Sequence, residues 1–211
     1  MRLFSTLFLL IAVSFASFAQ DDQKAKDIVV KLTNKTKTYS SIYVEFTAKI
    51  KNSSINESTK GKGWLKGDKY KAQLGEYNIL SNGSKVWTIS TEDKEVYVSN
   101  VGDDDDDMIN PKELLTKWET GYRYKYVKEE VIGGVKYHRI NLFPKDPKNA
   151  KYHTVTMLVN SAKNQIYQVT LKSNDGTKST YTMNVFKVNE TYSDNLFIFD
   201  KRKYPGYEVI Y

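Results

Sequence analysis

The chain has 211 residues, 40% of them hydrophobic and 27% charged, the composition of one soluble globular domain with a sizeable core. It contains no cysteine, which excludes disulfides, thiolate metal sites, a cysteine nucleophile and a lipid-modified N-terminal cysteine. A formal net charge of +7 raises nucleic acid as a partner, and that reading depends on where the charge lies.

Arg2 opens a leader in which Leu3 to Phe15 is almost unbroken apolar sequence and Ser17-Phe18-Ala19 is a small-x-small exit. The apolar run is too short for a membrane-spanning helix, so residues 1–19 read as a signal peptide cleaved after Ala19. Residues 20–211 are then a single exported domain. Ile28, Val29 and Leu32 recur at helical spacing between Asp22 and Tyr39 and predict an amphipathic helix. Ile42, Val44, Phe46, Ala48 and Ile50 then alternate with polar partners, a strand with one apolar and one wet face.

Turn signals follow at Asn82-Gly83, Glu92 to Lys94, Gly133-Gly134, Ser161 to Asn164 and Asn174 to Gly176. Asn110 can cap a short helix that Pro111 starts, Leu114, Leu115 and Trp118 stripe, and Gly121 ends. Strands are expected at 122–127, 135–143, 153–160, 166–173 and 179–188, with a last one at 196–200, making about ten in all. The fold class is mainly β with a few helices: a large curved antiparallel sheet, open or nearly closed, whose apolar face the helices cover.

The candidate sites are few. Asp103 to Asp107 is a run of carboxylates without the staggered ligands and turn glycine of a calcium loop, and reads as a solvated segment. Tyr122, Tyr124 and Tyr126, interleaved with Arg123 and Lys125, are the best stacking platform for bases or sugars, yet aromatics also favour strands for packing. The lysines are spread over wet strand faces and the chain is exported, so no nucleic acid is expected as a partner. His138 and His153 lie in separate strands without a metal-binding spacing, so no metal or cofactor is expected and a histidine-based triad lacks material. Gly61-x-Gly63 precedes no helix and reads as a place where the sheet bends.

The sheet's apolar face either packs solidly or lines a cavity for an apolar ligand, and two short helical pieces are little cover for so many strands. The chain resembles the LolA-type periplasmic outer-membrane lipoprotein carriers, and more closely the LolA-like proteins of Bacteroidetes. The resemblance rests on the order and spacing of several stretches. These are Tyr39 to Thr47, Gly61 to Lys71, Ile79 to Trp87, Asn110 to Leu115, and Phe199-Asp200 followed by Tyr204-Pro205-Gly206-Tyr207-Glu208-Val209. It implies an unclosed barrel with a helical lid and a cavity for lipoprotein acyl chains. Cargo would pass from an inner-membrane lipoprotein-releasing transporter to an outer-membrane acceptor, with transient membrane-surface contact, no catalysis, and a monomeric carrier.

By position, Tyr70, Trp64 and Trp87 match recurrent aromatics of that family. The arginine thought to latch barrel to lid in well-studied members falls at Gly67, and their later tryptophan at Ala72, so no latch residue is carried over. The expected cavity lining is Ile42, Val44, Phe46, Ala48 and Ile50 from the first strand, and Trp64, Tyr70, Ala72, Leu74, Trp87 and Ile89 beyond it. Ile28, Leu32, Leu114, Leu115 and Trp118 are the expected lid residues. The rival readings are another envelope binding module, similar to the receptor LolB or to stress-sensor domains, and an enzyme on envelope lipids or glycans. The enzyme requires an acid or base inside the cavity, with Glu45 and His138 as the positions to inspect.

Overall fold

The computed structural model describes residues 22–103 and 111–211. The expected leader, the Asn110 cap and Asp104 to Asp107 lie outside the described residues. A first helix, α1, covers residues 22–37. Its C-terminal turn is closed by Thr38, whose amide and hydroxyl both donate to the Lys35 carbonyl at 3.1 and 2.7 Å, so the helix ends just short of the expected Tyr39.

Among the described residues twelve strands follow in one sheet. They are β1 (Ile42–Lys51), β2 (Asn56–Lys66), β3 (Lys69–Leu74), β4 (Tyr77–Ser81), β5 (Lys85–Ser90) and β6 (Glu95–Asn100), then, after α2 (Pro111–Thr116), β7 (Tyr122–Ile132), β8 (Val135–Pro144), β9 (Tyr152–Asn160), β10 (Gln165–Ser173), β11 (Lys178–Val188) and β12 (Glu208–Ile210). Their spatial order is β12-β6-β5-β4-β3-β2-β1-β11-β10-β9-β8-β7. Every pair is antiparallel except β12 with β6. The two edges, β12 and β7, do not pair, so the sheet is an unclosed barrel. All the expected turns join neighbouring strands. The expected last strand at 196–200 is corrected: Asp194–Phe197 is a 3-10 turn capped by Ser193, and the chain pairs again only at β12. The Ser193 side chain satisfies the Asn195 amide, which commits this stretch to a turn.

Register fixes the two faces. Ile42, Val44 and Ala48 of β1 point inward, with Leu65 of β2, Tyr70 and Ala72 of β3, Ile140 and Leu142 of β8, Val155, Met157 and Val159 of β9, and Val169 and Leu171 of β10. Residues from β5 (Val86) and β7 (Tyr122, Tyr124, Tyr126) join the same cluster although their strands lie far apart in the sheet. The sheet therefore wraps around one core. Ala25, Val29 and Leu32 of α1 and Leu114 and Leu115 of α2 enter that core, so both helices sit on the inner face. The alternating tyrosines of β7 are packing residues: their even register faces inward, and the Tyr124 hydroxyl donates to the carbonyls of Trp118 and Glu119 at 2.9 and 2.6 Å.

A second cluster lies on the outer face, where Leu80, Ile89 and Val96 are covered by Phe199, Tyr204, Tyr207 and Val209. The segment from Asp194 to Ile210 thus straps the outside of the sheet. Asp194 fastens its start, bound by Lys66 and Lys69 at 2.8 and 2.7 Å. Those two lysines face each other across the tight β2–β3 turn, where Gly67 takes φ +57 at a position open to glycine without strain. Their hydrogen bonds hold the Asp194 carboxyl down at about 2.

Candidate functional site

An apolar cavity of about 370 Å³ lies between the inner face and α2. Its wall takes Val44, Phe46 and Ile50 from β1, Ala72 and Leu74 from β3, and Leu114 and Leu115 from α2. Tyr77 and Ile79 of β4, Tyr152 of β9, Ser173 of β10, and Ser179, Tyr181 and Met183 of β11 complete it. Among the described residues no charged side chain takes part. The volume falls within the range of about 300–1,000 Å³ that encloses small ligands.

The lining runs from the middle of the sheet to one end of the barrel. Ile50 is next to last in β1, Leu74 and Ser173 are the last residues of β3 and β10, Tyr77 and Tyr152 are the first of β4 and β9, and Ser179 is the second of β11. Tyrosine and serine hydroxyls gather at this end, while Val44, Ala72, Ile79 and Met183 form the apolar interior. Burial pushes the Tyr181 hydroxyl up to about 12, so it remains a neutral donor at any physiological pH. Side chains facing each other across β1 and β2 are unequal in size. Gly61 and Gly63 stand opposite Phe46 and Val44, and the missing Cβ at Gly61 is where the Phe46 ring lies. The glycine pair makes room for the Phe46 and Val44 side chains.

The expected lining divides three ways. Val44, Phe46, Ile50, Ala72 and Leu74 are in the wall, and so are Leu114 and Leu115 from the expected lid. Ile42, Ala48 and Tyr70 are inward and buried, and pack in the core beyond the cavity. Ile28, Leu32 and Trp118 behave likewise: Leu32 is fully covered, Ile28 half-buried, and the Trp118 indole donates to the Leu114 carbonyl at 2.8 Å, bracing α2. Trp64, Trp87 and Ile89 are corrected outright, because all three point to the outer face. Trp64 lies opposite Tyr43, with ring centroids 5.2 Å apart, and Trp87 stacks on Phe199 at 6.4 Å. Ile89 is sealed beneath the C-terminal strap.

The inward residues of β11 escaped sequence reading, although Ser179, Tyr181 and Met183 keep the alternation of a strand; a register shift opposite Glu45/Phe46 hides which face they share with β1. Glu45 is on the outer face, where it accepts the Tyr43 hydroxyl at 2.7 Å. His138 is inward, but it contacts Tyr126 (3.2 Å, Nδ1 to hydroxyl), away from the cavity wall. Burial lowers its pKa. Among the described residues no group of three histidine, aspartate or glutamate side chains is arranged to hold a metal ion.

Comparison with known proteins adds three findings. The family model described as outer membrane lipoprotein carrier protein LolA matches residues 69–200. No curated protein matches the chain significantly. Among solved structures, an uncharacterized conserved protein from Thermus thermophilus superposes with a TM-score of 0.57 at 8% identity, covering 86% of this chain and 96% of that one. LprF from Mycobacterium bovis gives 0.51 at 12% identity, covering 81% and 95%. A LolA superfamily protein from Nitrosomonas europaea gives 0.45 at 13% identity, covering 83% and 97%. At such identities the likeness is one of fold, and it rests on the first two.

Proposed function

The chain belongs to the LolA family, and from that premise we propose that it is an envelope carrier that shields acyl chains of lipoproteins between inner and outer membranes, without chemistry of its own. The observation that carries this reading is the uncharged cavity of about 370 Å³ beneath α2. Residues 20–211 would be the mature carrier, directed to the periplasm by residues 1–19, which are then removed.

The physical task is exchange of apolar surface. Each methylene moved out of water is worth about 0.8 kcal/mol, so a lipid-anchored protein needs matching apolar burial to cross an aqueous compartment. Val44, Phe46, Leu74 and Met183 supply that burial in the cavity interior. Release demands that the empty state also be tolerable, and a short cover such as α2 meets this need by closing Leu114 and Leu115 over the vacant wall. The hydroxyls of Tyr152, Ser173 and Ser179 at the end of the barrel fit the ester region of a lipid, so that chains enter first and the polar part stays at the rim.

Titration of the mature protein with a fluorescent acyl probe and a triacylated peptide tests the reading, alongside native mass spectrometry of protein purified from the envelope. Saturable uptake is expected, with loss of at least about ten-fold in affinity for Leu74→Glu, because a carboxylate in the wall must be buried against the chain. Ala72→Phe fills the cavity without adding charge and is expected to block uptake with the circular dichroism melt preserved. A well-folded parent protein that takes up no probe and carries no lipid would sink the carrier reading in favour of a surface-binding module.

A further inference from the structure

The outer face carries a second concavity, of about 480 Å³, at the same end of the barrel as the cavity. Its sides are Lys49, Lys51, Lys172, Lys178 and Arg139, and its floor is Thr156, Gln168, Thr170 and Thr180. Lys51, Lys178 and Lys172 occupy one register row across β1, β11 and β10, and Lys49 projects from the same face one row in. Like charges directly opposite across strands are destabilising, so three neighbouring lysines on one row are an arrangement that packing alone disfavours.

Among the described residues no carboxylate is paired with the lysines of this groove. Lys49, Lys51, Lys172 and Lys178 are exposed and form no ion pair there; Arg139 alone is engaged, by Glu130 at 2.7 Å. Asp175, in the adjacent turn, keeps its charge but turns its carboxylate to the Thr177 amide and hydroxyl, both at 2.9 Å, and pairs with none of the lysines. Asp146, in the β8–β9 loop at this end, binds Asn149 at 2.8 Å. The row also abuts the cavity: Ile50 and Ser179 line the inner wall one residue before Lys51 and one after Lys178. Two large apolar side chains stand exposed at the same end, Ile55 in the β1–β2 turn at 39% and, on the cavity rim, Tyr77, the first residue of β4, at 36%.

We infer that this end of the barrel docks on an anionic bilayer, with headgroup phosphates seated in the lysine groove while Ile55 and Tyr77 reach the interfacial region. Basic residues attract anionic lipid surfaces additively, and adjacent apolar side chains convert the encounter into shallow insertion. The orientation presents the cavity rim to the membrane, so an acyl chain leaves one apolar environment and enters another without crossing water. An acidic protein segment would satisfy the charge alone; the exposed Ile55, in the turn after Lys51, and Tyr77, at the cavity rim of the same end, favour a lipid surface. The significance of that orientation rests on the carrier reading, whereas the docking itself is measured separately from acyl uptake.

Vesicle flotation with the mature protein tests it, using phosphatidylethanolamine vesicles with and without phosphatidylglycerol at low and physiological salt. Binding is expected only with phosphatidylglycerol and should weaken as salt screens the groove. The Lys51→Glu/Lys172→Glu/Lys178→Glu variant should lose about ten-fold or more in vesicle affinity, with an unchanged melt and unchanged acyl-probe uptake in solution. Lys85→Glu/Lys163→Glu, at the opposite end of the barrel, should retain binding. Equal loss in both variants would reduce the effect to net charge and overturn the site. Capture of polyglutamate but not vesicles would assign the groove to an acidic protein segment instead. Vesicle binding without probe uptake in the parent leaves the docking face intact and removes only the carrier reading.

Discussion

At Gly61 the seat of the Phe46 ring depends on one missing carbon. A Cβ there would stand 2.4 Å from Phe46 Cζ and 2.8 Å from the Gln73 carbonyl oxygen. The ring can swing away, but the carbonyl belongs to the β2–β3 ladder and cannot yield without opening it. Gly61→Ala is therefore expected to cost about 1–3 kcal/mol, the range of overpacking in a fitted interior. It should also push Phe46 into the cavity it lines. Urea denaturation would show the lower midpoint, and probe titration a weaker affinity; Gly63→Ala, whose nearest contact is the Val44 methyl at 3.1 Å, should do less of both. The sequence shows two glycines in a strand and nothing of what stands opposite, because the Phe46 neighbour is set by the β1–β2 register and not by local spacing.

The strap from Asp194 to Ile210 is the element that explains the outer cluster. Phe199 stacks between Trp87 and Tyr204, with centroids 6.4 and 5.3 Å away, and it covers a sheet surface that water would otherwise reach. Phe199→Ala is expected to cost about 2 kcal/mol, less than a fully buried phenylalanine because Phe199 is only half-buried. Acyl-probe affinity should stay at the parent value, since the cavity is on the other face. Loss of affinity equal to that of Leu74→Glu would mean that the two faces are coupled through the sheet. This element also marks where sequence reading stops. In β1 one face is apolar and the other wet, so alternation alone identifies the inner wall from Val44 to Ile50. In β4 and β5 both faces are apolar, with Ile79 and Val86 inward and Leu80, Trp87 and Ile89 outward. Period two then separates the faces without saying which one meets the helices. The outward one is revealed only by a strap over a hundred residues further along the chain.

For the whole molecule, the cavity and its cover link ligand binding to stability. An isolated helix of fewer than about 12 residues is not stable in water, so α2, at 6 residues, holds its place through Leu114, Leu115 and Trp118 against the sheet. An acyl chain in the cavity adds apolar contacts under those leucines in the folded state alone, and a ligand that binds only the folded state stabilises it. At a hundredfold excess over Kd the gain is about 2.7 kcal/mol. For a chain of this size that raises Tm by about 5–10 °C. Calorimetry with and without the triacylated peptide measures the shift. Hydrogen exchange measures where it arises, with amides of residues 114–116 expected to gain more protection than those of β9, which is already buried on both faces. A probe that registers as bound but leaves Tm unchanged would be associating equally with folded and unfolded chain, and the cavity would not be its site.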